Sequence, residues 1–375
     1  MSKSYTPGLK VLKYTKVNKE RLLPLKGKVH VDVNKQVKSD TIVASTEIPG
    51  NVQMINMVNK LNIDSKQVLD CMVVDVNEDV KKGQMIAQNK GLFGMFKTQV
   101  NSPIDGKIIN ISKVTGQVVI SEKPLPIEVD AYLPGRISKV YEEDGVVVNS
   151  QGTFIQGIIG IGGEKKGTIK LLVDKPNQFL DLSLINSSLK DIVIVCGSYV
   201  NYEIYKKAKD CGVKGIICGG IDYNTISKIL GYSLGVAITG TEDTTTLIIT
   251  EGFGKINMAL KTFNLLKDND GKRVSINGAT QIRAGVLRPE IFIKSEDDIN
   301  SKDFSEDDLI ISEGSIVRVI REPYFGRIGK IISLPFELMK MKSETKVRVA
   351  EVEFDDNSKE IIPRANLEVI LSNEW

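Results

Sequence analysis

Residues 74–111 read VDVNEDVKKGQMIAQNKGLFGMFKTQVNSPIDGKIINI, and the fold of the first half of the chain can be predicted from them. Valine stands at even spacing at the start of this stretch, which is typical of a strand with one buried face. A turn of sequence SPIDG at residues 102–106 separates two further apolar runs. The same pattern occurs at residues 31–44, which align without a gap on residues 74–87. The sequence therefore predicts a ladder of short strands that is used twice.

The order V-x-V, V-x-K-G, an apolar pair with Ala and then S-P-x-D-G-x-I resembles the barrel-sandwich hybrid of lipoyl and biotinyl domains, which we assign to residues 29–125. Neither Lys90 nor Lys97 has the flanking residues of a modified carrier lysine, so the resemblance implies a β-sandwich without the carrier function. The hairpin between its halves is apolar and must be covered by this chain or by a partner. Its apolar side chains are Leu92, Phe93, Met95 and Phe96.

Composition favours a multidomain cytoplasmic protein without catalytic chemistry. The 375 residues are 41% hydrophobic and 26% charged, which is ordinary for a globular protein with two to four domains. The only histidine is His30, and this scarcity excludes most acid-base, nucleophile-activation and zinc mechanisms. The four cysteines show no C-x-x-C spacing. We therefore expect no catalytic residue, no metal and no cofactor, and a stand-alone enzyme is the third alternative.

The charge of the chain is unevenly distributed, although the net charge is only +3. Residues 1–30 carry eight lysine and arginine side chains against Glu20 alone, so residues 1–28 are predicted to be a basic N-terminal arm. The arm is either a solvated tail or a segment that neutralises phosphates. Residues 296–308 carry seven acidic residues against Lys302, and residues 295–310 are predicted to be an acidic linker.

The middle of the chain changes its hydrophobic period. Residues 126–185 continue the pattern of short strands as a second β module, and the glycine cluster at residues 157–167 is typical of its tight turns. In residues 186–294, buried apolar runs alternate with helices of about ten residues, which predicts an α/β domain with a mostly parallel sheet.

Ligands of such sheets bind beyond the carboxyl ends of the strands. A candidate ligand pocket there is formed by Ser198, Asp222, Thr239, Glu251, Arg283 and Arg288. Strand-to-helix turns need the same small polar residues, so ordinary turns are the alternative. The two arginines pair either with a carboxylate of the protein, such as Glu290 or Glu251, or with an outside anion.

The C-terminal residues 311–375 carry the most specific pattern. G-x-x-V-x-V-I is followed by P-Y-x-G-x-x-G-x-I and finally by P-x-x-N-L-E-V-I, with strict alternation and short turns. This pattern closely resembles the KOW module, an SH3-like barrel of NusG-type transcription elongation factors and several ribosomal proteins. The family usually has Gly where this chain has Glu322.

The KOW resemblance implies docking onto RNA, the ribosome or RNA polymerase. The residues that would make this contact are Arg318, Arg321, Tyr324, Phe325, Arg327, Lys330 and Arg348. A barrel that contacts its own chain or a protein partner is the alternative, because acidic and basic residues nearly cancel after residue 310. The predicted fold class is thus multidomain α/β plus β, with sandwich modules, a mostly parallel sheet and an SH3-like barrel.

Two functions from different classes follow from these patterns. The first is a non-enzymatic adaptor of the transcription or translation machinery that contacts RNA or a ribonucleoprotein through the KOW module. The second is a ligand-binding or accessory subunit of a metabolic enzyme complex, with its pocket at the strand ends. Both include a protein partner and neither includes a membrane.

Overall fold

The computed structural model describes residues 9–89, 91, 97–232, 237–238, 244–281, 287–295, 310–321, 323–324, 327–341 and 346–371. In these ranges the secondary structure is mostly β. Sixteen strands form one continuous mixed sheet, and smaller sheets of two to four strands complete the fold. No helix in the described ranges has the length and apolar character needed to cross a membrane.

The expected basic arm is largely a strand of the main sheet. The first four strands are β1 (Leu9–Leu22), β2 (Lys28–Val29), β3 (Gln36–Val37) and β4 (Ile42–Ile48). β1 pairs antiparallel with the strand Gly145–Gln156 over most of its length and parallel with the last strand, Leu367–Leu371. Buried and exposed residues alternate along much of β1, and its first half packs into the interior of the protein.

Two basic side chains of this region, Lys19 and Arg21, form ion pairs with carboxylates that lie far away in the sequence. Arg21 forks onto Glu164, with Nη1–Oε1 and Nη2–Oε2 distances of 2.7 and 2.8 Å. Lys19 pairs with Glu290. These acids lie more than a hundred residues away in sequence, so a local count of charges could not reveal them. The prediction of a free basic arm is therefore corrected at Lys19 and Arg21, because both side chains form ion pairs within the protein.

Residues 52–121 form a small β unit of their own. Its elements are β5 (Val52–Asn56), α1 (Met57–Leu61), α2 (Val68–Cys71), β6 (Asp79–Val80), β7 (Met85–Gln88), β8 (Gln99–Asn101), β9 (Gly106–Ile111) and β10 (Gln117–Ser121). Apolar residues from all these elements form a separate hydrophobic core. Asn51 and Glu122 join the two ends of the unit, because the Glu122 amide donates to the Asn51 carbonyl at 2.9 Å.

The first copy of the repeated pattern packs elsewhere. The next strands are β11 (Leu125–Asp130), β12 (Gly135–Tyr141), β13 (Gly145–Gln156) and β14 (Ile159–Ile161). β11 pairs with β4, and β12 pairs with β3. Val31 and Val43 share a core with Tyr132 and Ile137. The two copies therefore lie in two different cores, which corrects the single module expected at residues 29–125.

The central part of the chain alternates strands and helices as predicted. Its elements are β15 (Glu164–Leu171), β16 (Ile192–Val195), α3 (Tyr202–Asp210), β17 (Gly215–Ile221), α4 (Tyr223–Leu230), β18 (Ala237–Ile238), β19 (Thr246–Phe253), α5 (Leu260–Lys267), β20 (Arg273–Asn277), β21 (Thr280–Gln281) and β22 (Glu290–Lys294). β15, β16, β17 and β19 run parallel. β15 was expected in the second β module, whereas it lies beside β16. β18 pairs with β21 outside the main sheet.

The C-terminal strands follow after residue 310. They are β23 (Ile316–Val319), β24 (Ile328–Ser333), β25 (Met339–Lys340), β26 (Lys346–Val347), β27 (Val349–Phe354), β28 (Lys359–Pro363) and β29 (Leu367–Leu371). Five of them form the antiparallel order β29-β23-β24-β27-β28 around an apolar core that also takes in Leu12 of β1. β1 therefore ties the beginning of the chain to its C-terminal segment.

Candidate nucleic-acid interface

The predicted loop of the C-terminal segment is only partly available for an outside ligand. Arg321 and Lys330 are exposed. Tyr324 packs against Phe354 with 5.7 Å between ring centroids. Arg327 lies 3.8 Å from the centroid of the same ring and pairs with the Asp356 carboxylate at 2.8 Å. Tyr324 and Arg327 therefore already have partners within the protein.

Two neighbouring ionisable groups are affected by the same internal contacts. Hydrogen bonds from Ser358, with a smaller contribution from Arg327, hold the pKa of the Asp356 carboxyl below its usual value. The hydrogen bond to Glu360, together with burial, raises the pKa of the Tyr324 hydroxyl. Phe325, which was predicted to stack on bases, lies outside the described residues.

Arg318 is buried and cannot belong to the predicted surface in this structure. It is 2% exposed, and its Nη1 lies 3.2 Å from Glu251 Oε2 and donates to the Thr250 carbonyl at the same distance. Its Nη2 pairs with Glu368, which also accepts from Arg288. The result is a buried chain of alternating charges, Arg288–Glu368–Arg318–Glu251, which joins the central and C-terminal segments. We call this chain the charge joint.

Two residues of the predicted ligand pocket, Glu251 and Arg288, belong to the charge joint. Glu251 is 5% exposed and accepts a hydrogen bond from the Ala259 amide at 3.0 Å. Arg288 finds a carboxylate of the protein, as one alternative expected, but its partner is Glu368 and not Glu290 or Glu251. Ser198 is buried and donates to the Gln178 carbonyl at 3.2 Å. Only Asp222 of the placed residues is exposed, and Thr239 and Arg283 lie outside the described part of the chain.

The four cations Lys340, Lys346, Arg348 and Arg364 cluster at one end of the C-terminal segment. We call this cluster the basic end. Lys340 of β25 stands directly opposite Lys346 of β26 in the antiparallel register. Arg348 and Arg364 are also neighbours, since the Arg364 amide donates to the Arg348 carbonyl at 3.0 Å. The register therefore places two lysines on directly opposite positions of this small sheet.

Arg364 is positioned by the backbone around it. Its guanidinium donates to the Val349 carbonyl at 2.9 Å and to the Pro335 carbonyl at 3.0 Å. Burial lowers the pKa of this guanidinium, and the neighbouring charge of Arg348 lowers it further. The adjoining Phe336 is 89% exposed, and Leu338 is 56% exposed. An exposed aromatic ring beside cations is the combination that contacts nucleobases and phosphates together.

The sequence prediction contained only Arg348 of the basic end. The signal that could have added the others is the sequence LPFELMKMK at residues 334–342, where a proline, an aromatic residue and two lysines precede Arg348. The pairing of Lys340 with Lys346 could not be inferred from these letters alone, because it depends on the register of β25 with β26.

A cleft separates the central segment from the C-terminal segment. Its volume is about 670 Å³, and it opens above Glu251 of the charge joint. The cations Lys13, Lys261 and Arg327 line it together with Asp268 and Asp355. Its lining therefore mixes charges of both signs around the first turn of α5.

The apolar hairpin was predicted to be covered by this chain or by a partner. Its side chains Leu92, Phe93, Met95 and Phe96 lie outside the described residues. The base of the hairpin borders a recess of about 540 Å³, between Asn89 and the residues around Cys71. Among the described residues no group of three or more His, Cys, Asp and Glu side chains is arranged to hold a metal ion.

No family model matches this chain, and a search of curated proteins found no significant match.

Proposed function

We propose that the protein is a non-enzymatic adaptor that docks onto RNA or a ribonucleoprotein of the transcription or translation machinery through the basic end. In this proposal the C-terminal segment is an SH3-like KOW module, and the modules before it hold it in place and contact other partners. The central segment serves as an α/β domain that carries the module.

The strand arrangement supports the KOW assignment. β23 lies between β24 and β29, and β27 lies between β24 and β28. One turn of 3₁₀ helix, Arg364–Asn366, leads into the last strand. Five short antiparallel strands in this order around one apolar core support this assignment.

The observation that carries the proposal is the pairing of like charges at the basic end. The C-terminal segment has nearly equal numbers of acidic and basic residues, so its overall charge does not attract RNA. The distribution does, because Lys340 faces Lys346 and Arg348 adjoins Arg364. Clustered cations bind the phosphate chain and release its counterions, which makes the affinity depend steeply on salt.

The test is capture of RNA by the immobilised full-length protein from a cell lysate, with and without ribonuclease. The control is the triple variant Lys340→Gln, Lys346→Gln and Arg348→Gln, which keeps the size of the side chains and removes their charge. We expect the wild-type protein to retain RNA at low salt and to release it at high salt. The triple variant should retain little RNA under the same conditions.

Two results would contradict this function. One is a wild-type protein that retains no RNA even at low salt. The other is equal retention by the wild-type protein and the triple variant, which would place the contact elsewhere.

A second candidate function rests on the cleft. Its volume suits a small metabolite, as a ligand-binding accessory subunit would require. Leu260 is 64% exposed at its rim, so Leu260→Trp should obstruct the cleft. The second function predicts that adenosine triphosphate, used as a probe, raises the melting temperature of the triple variant and that Leu260→Trp abolishes this rise. Indifference to the probe would count against it.

A further inference from the structure

A row of aromatic side chains lies at the carboxyl ends of the parallel strands β16, β17 and β19. We call it the aromatic row, and it consists of Phe179, Tyr199, Tyr223 and Phe253. Phe179 meets Tyr199 edge to face with 6.1 Å between ring centroids. Tyr223 packs against Phe253 at 5.9 Å. The four rings thus form two contacting pairs.

Asp222 connects the two pairs. Its carboxylate accepts a hydrogen bond from the Tyr199 hydroxyl, and the next residue in the chain is Tyr223. Tyr199 is itself buried at 8% exposure and forms a parallel bridge to Gly220. The row is therefore anchored in the sheet at its centre.

The outer rings of the row are open to solvent. Phe179 is 54% exposed, Tyr223 is 46% exposed and Phe253 is 43% exposed. Aromatic rings at a strand end are usually covered, because their burial stabilises the fold. Three large rings that remain half exposed, two of them in contact with each other, give apolar surface that suits a ligand with flat apolar faces.

Two charged groups frame the row. Lys255 is exposed, and its ammonium nitrogen lies 5.8 Å from the centroid of the Tyr199 ring. Asp222 is exposed as well, so its carboxylate can also accept from the amino group of a base. A cation for phosphate, an acceptor for amino groups and ring faces for stacking together match the chemistry of a nucleotide strand.

The backbone beneath the row is packed closely enough to fix its position. A Cβ on Gly220 would lie 2.1 Å from the Gly254 carbonyl oxygen, and one on Gly219 would lie 2.4 Å from the Ile256 carbonyl oxygen. The loops that carry Phe253 and Lys255 therefore contact the end of β17 directly. A surface held in this way needs little ordering when a ligand binds.

We propose that the aromatic row binds the bases of single-stranded RNA by stacking, as a second contact of the RNA held by the basic end. This inference rests on the proposed function and adds the part of the RNA that is recognised. Two ring pairs that are joined through Asp222 suit successive bases of a strand, whereas a single small ligand would need one enclosed site.

The test compares a short oligoadenylate with inorganic polyphosphate, which has the charge but no bases. The double variant Tyr223→Leu and Phe253→Leu keeps apolar side chains and removes two rings. We expect it to bind oligoadenylate about tenfold more weakly than the wild-type protein, with polyphosphate binding unchanged. The matched control is Tyr232→Leu, since Tyr232 is 51% exposed and lies beyond the opposite end of α4.

A second measurement reports on stacking directly. Trp375 is the only tryptophan of the chain, so Phe253→Trp in a Trp375→Phe background gives a single fluorescent reporter in the row. Oligoadenylate should quench its fluorescence and polyphosphate should not.

The outcomes separate this inference from the proposed function. If the double variant binds oligoadenylate as well as the wild-type protein while the triple variant of the basic end does not, the row does not bind bases and the adaptor function stands. If the double variant instead loses a protein partner and keeps its affinity for RNA, the row is a docking site for protein and the inference is wrong. If the wild-type protein binds no RNA at low salt, both proposals fall.

Discussion

The charge joint and the basic end each contain two arginines, yet the surroundings of these arginines are opposite. In the charge joint, Arg318 is buried and each of its carboxylate partners comes from another part of the chain. At the basic end, Lys346 and Arg348 are exposed and their nearest charged neighbours include other cations. The first arrangement pairs charges inside the protein, and the second places exposed cations close to one another at the surface.

This difference shows why an arginine in a strand pattern does not by itself indicate a binding surface. Arg318 and Arg348 both alternate with apolar residues in the sequence. Only the packing of β23 against the central segment buries Arg318. A buried charge that loses one partner destabilises the protein strongly, whereas an exposed one has little effect on stability.

The largest effect is therefore expected in the charge joint. Arg318→Met leaves Glu251 and Glu368 buried with one partner fewer, so we expect the free energy of unfolding to fall by about 3–5 kcal/mol. Urea unfolding of the full-length protein measures this change. The control Arg321→Met removes an exposed arginine nearby and should change the free energy by less than about 0.5 kcal/mol. Equal losses in the two variants would contradict the buried role of Arg318.

A smaller loss is expected where β1 joins the central segment. The Arg21 side chain is 12% exposed and forks onto Glu164, whereas the Lys26 side chain is 75% exposed and pairs with Glu143. Arg21→Met should lower the free energy of unfolding by about 2–3 kcal/mol, because it leaves a partly buried carboxylate without its strongest partner. Lys26→Met should cost less than about 1 kcal/mol. Urea unfolding of both variants measures the two losses. A larger loss for Lys26→Met than for Arg21→Met would contradict the prediction.

The basic end should show the opposite behaviour to the charge joint. Arg348→Glu reverses an exposed charge, so we expect RNA affinity to fall by roughly tenfold at low salt. Its free energy of unfolding should stay within about 0.5 kcal/mol of the wild-type value. Fluorescence anisotropy with a labelled RNA measures the affinity. Lys28→Glu in β2 makes the same change of charge elsewhere, and a similar loss of affinity there would show a non-specific effect.

The last comparison concerns the pH dependence of stability at the aromatic row, which is confined to alkaline pH. Burial, with the hydrogen bond to Asp222, raises the pKa of Tyr199 to about 12. The unfolded chain has a tyrosine pKa near 10, so between these values the unfolded state loses the proton first. The free energy of unfolding should therefore fall as the pH rises from about 10 to 12. Tyr199→Phe lacks this contribution and should show a shallower fall; an identical fall would contradict the shifted pKa.

The local pattern of the sequence predicted the elements well where burial is continuous. The strands at residues 192–195 and 215–221 are continuous apolar runs. The helices that follow them end beside Gly212 and Gly231, which take positive φ values of 76°. Continuous apolar runs and helix-ending glycines are determined by a few neighbouring residues, which is why they can be predicted.

Pairing between distant strands could not be predicted in the same way. The duplicated V-D-V-N pattern predicts two similar sets of strands. The first copy packs with β11 and β12, which lie about a hundred residues further along the chain. The acids that neutralise Arg21 and Arg318 also lie far along the chain. For the candidate site, the sequence indicated the segment and Arg348, whereas the pairing of Lys340 with Lys346 required the structure.

The salt dependence of RNA binding tests the central claim most directly. Equilibrium binding of a single-stranded RNA is measured by anisotropy over a series of salt concentrations for the wild-type protein and the triple variant. Each lost phosphate contact lowers the slope of log K against log salt by about 0.7 for single strands. We predict a slope that is shallower by about 2 in the triple variant, for three lost contacts. The same slope in both proteins, or no binding by the wild-type protein at the lowest salt, would contradict the account.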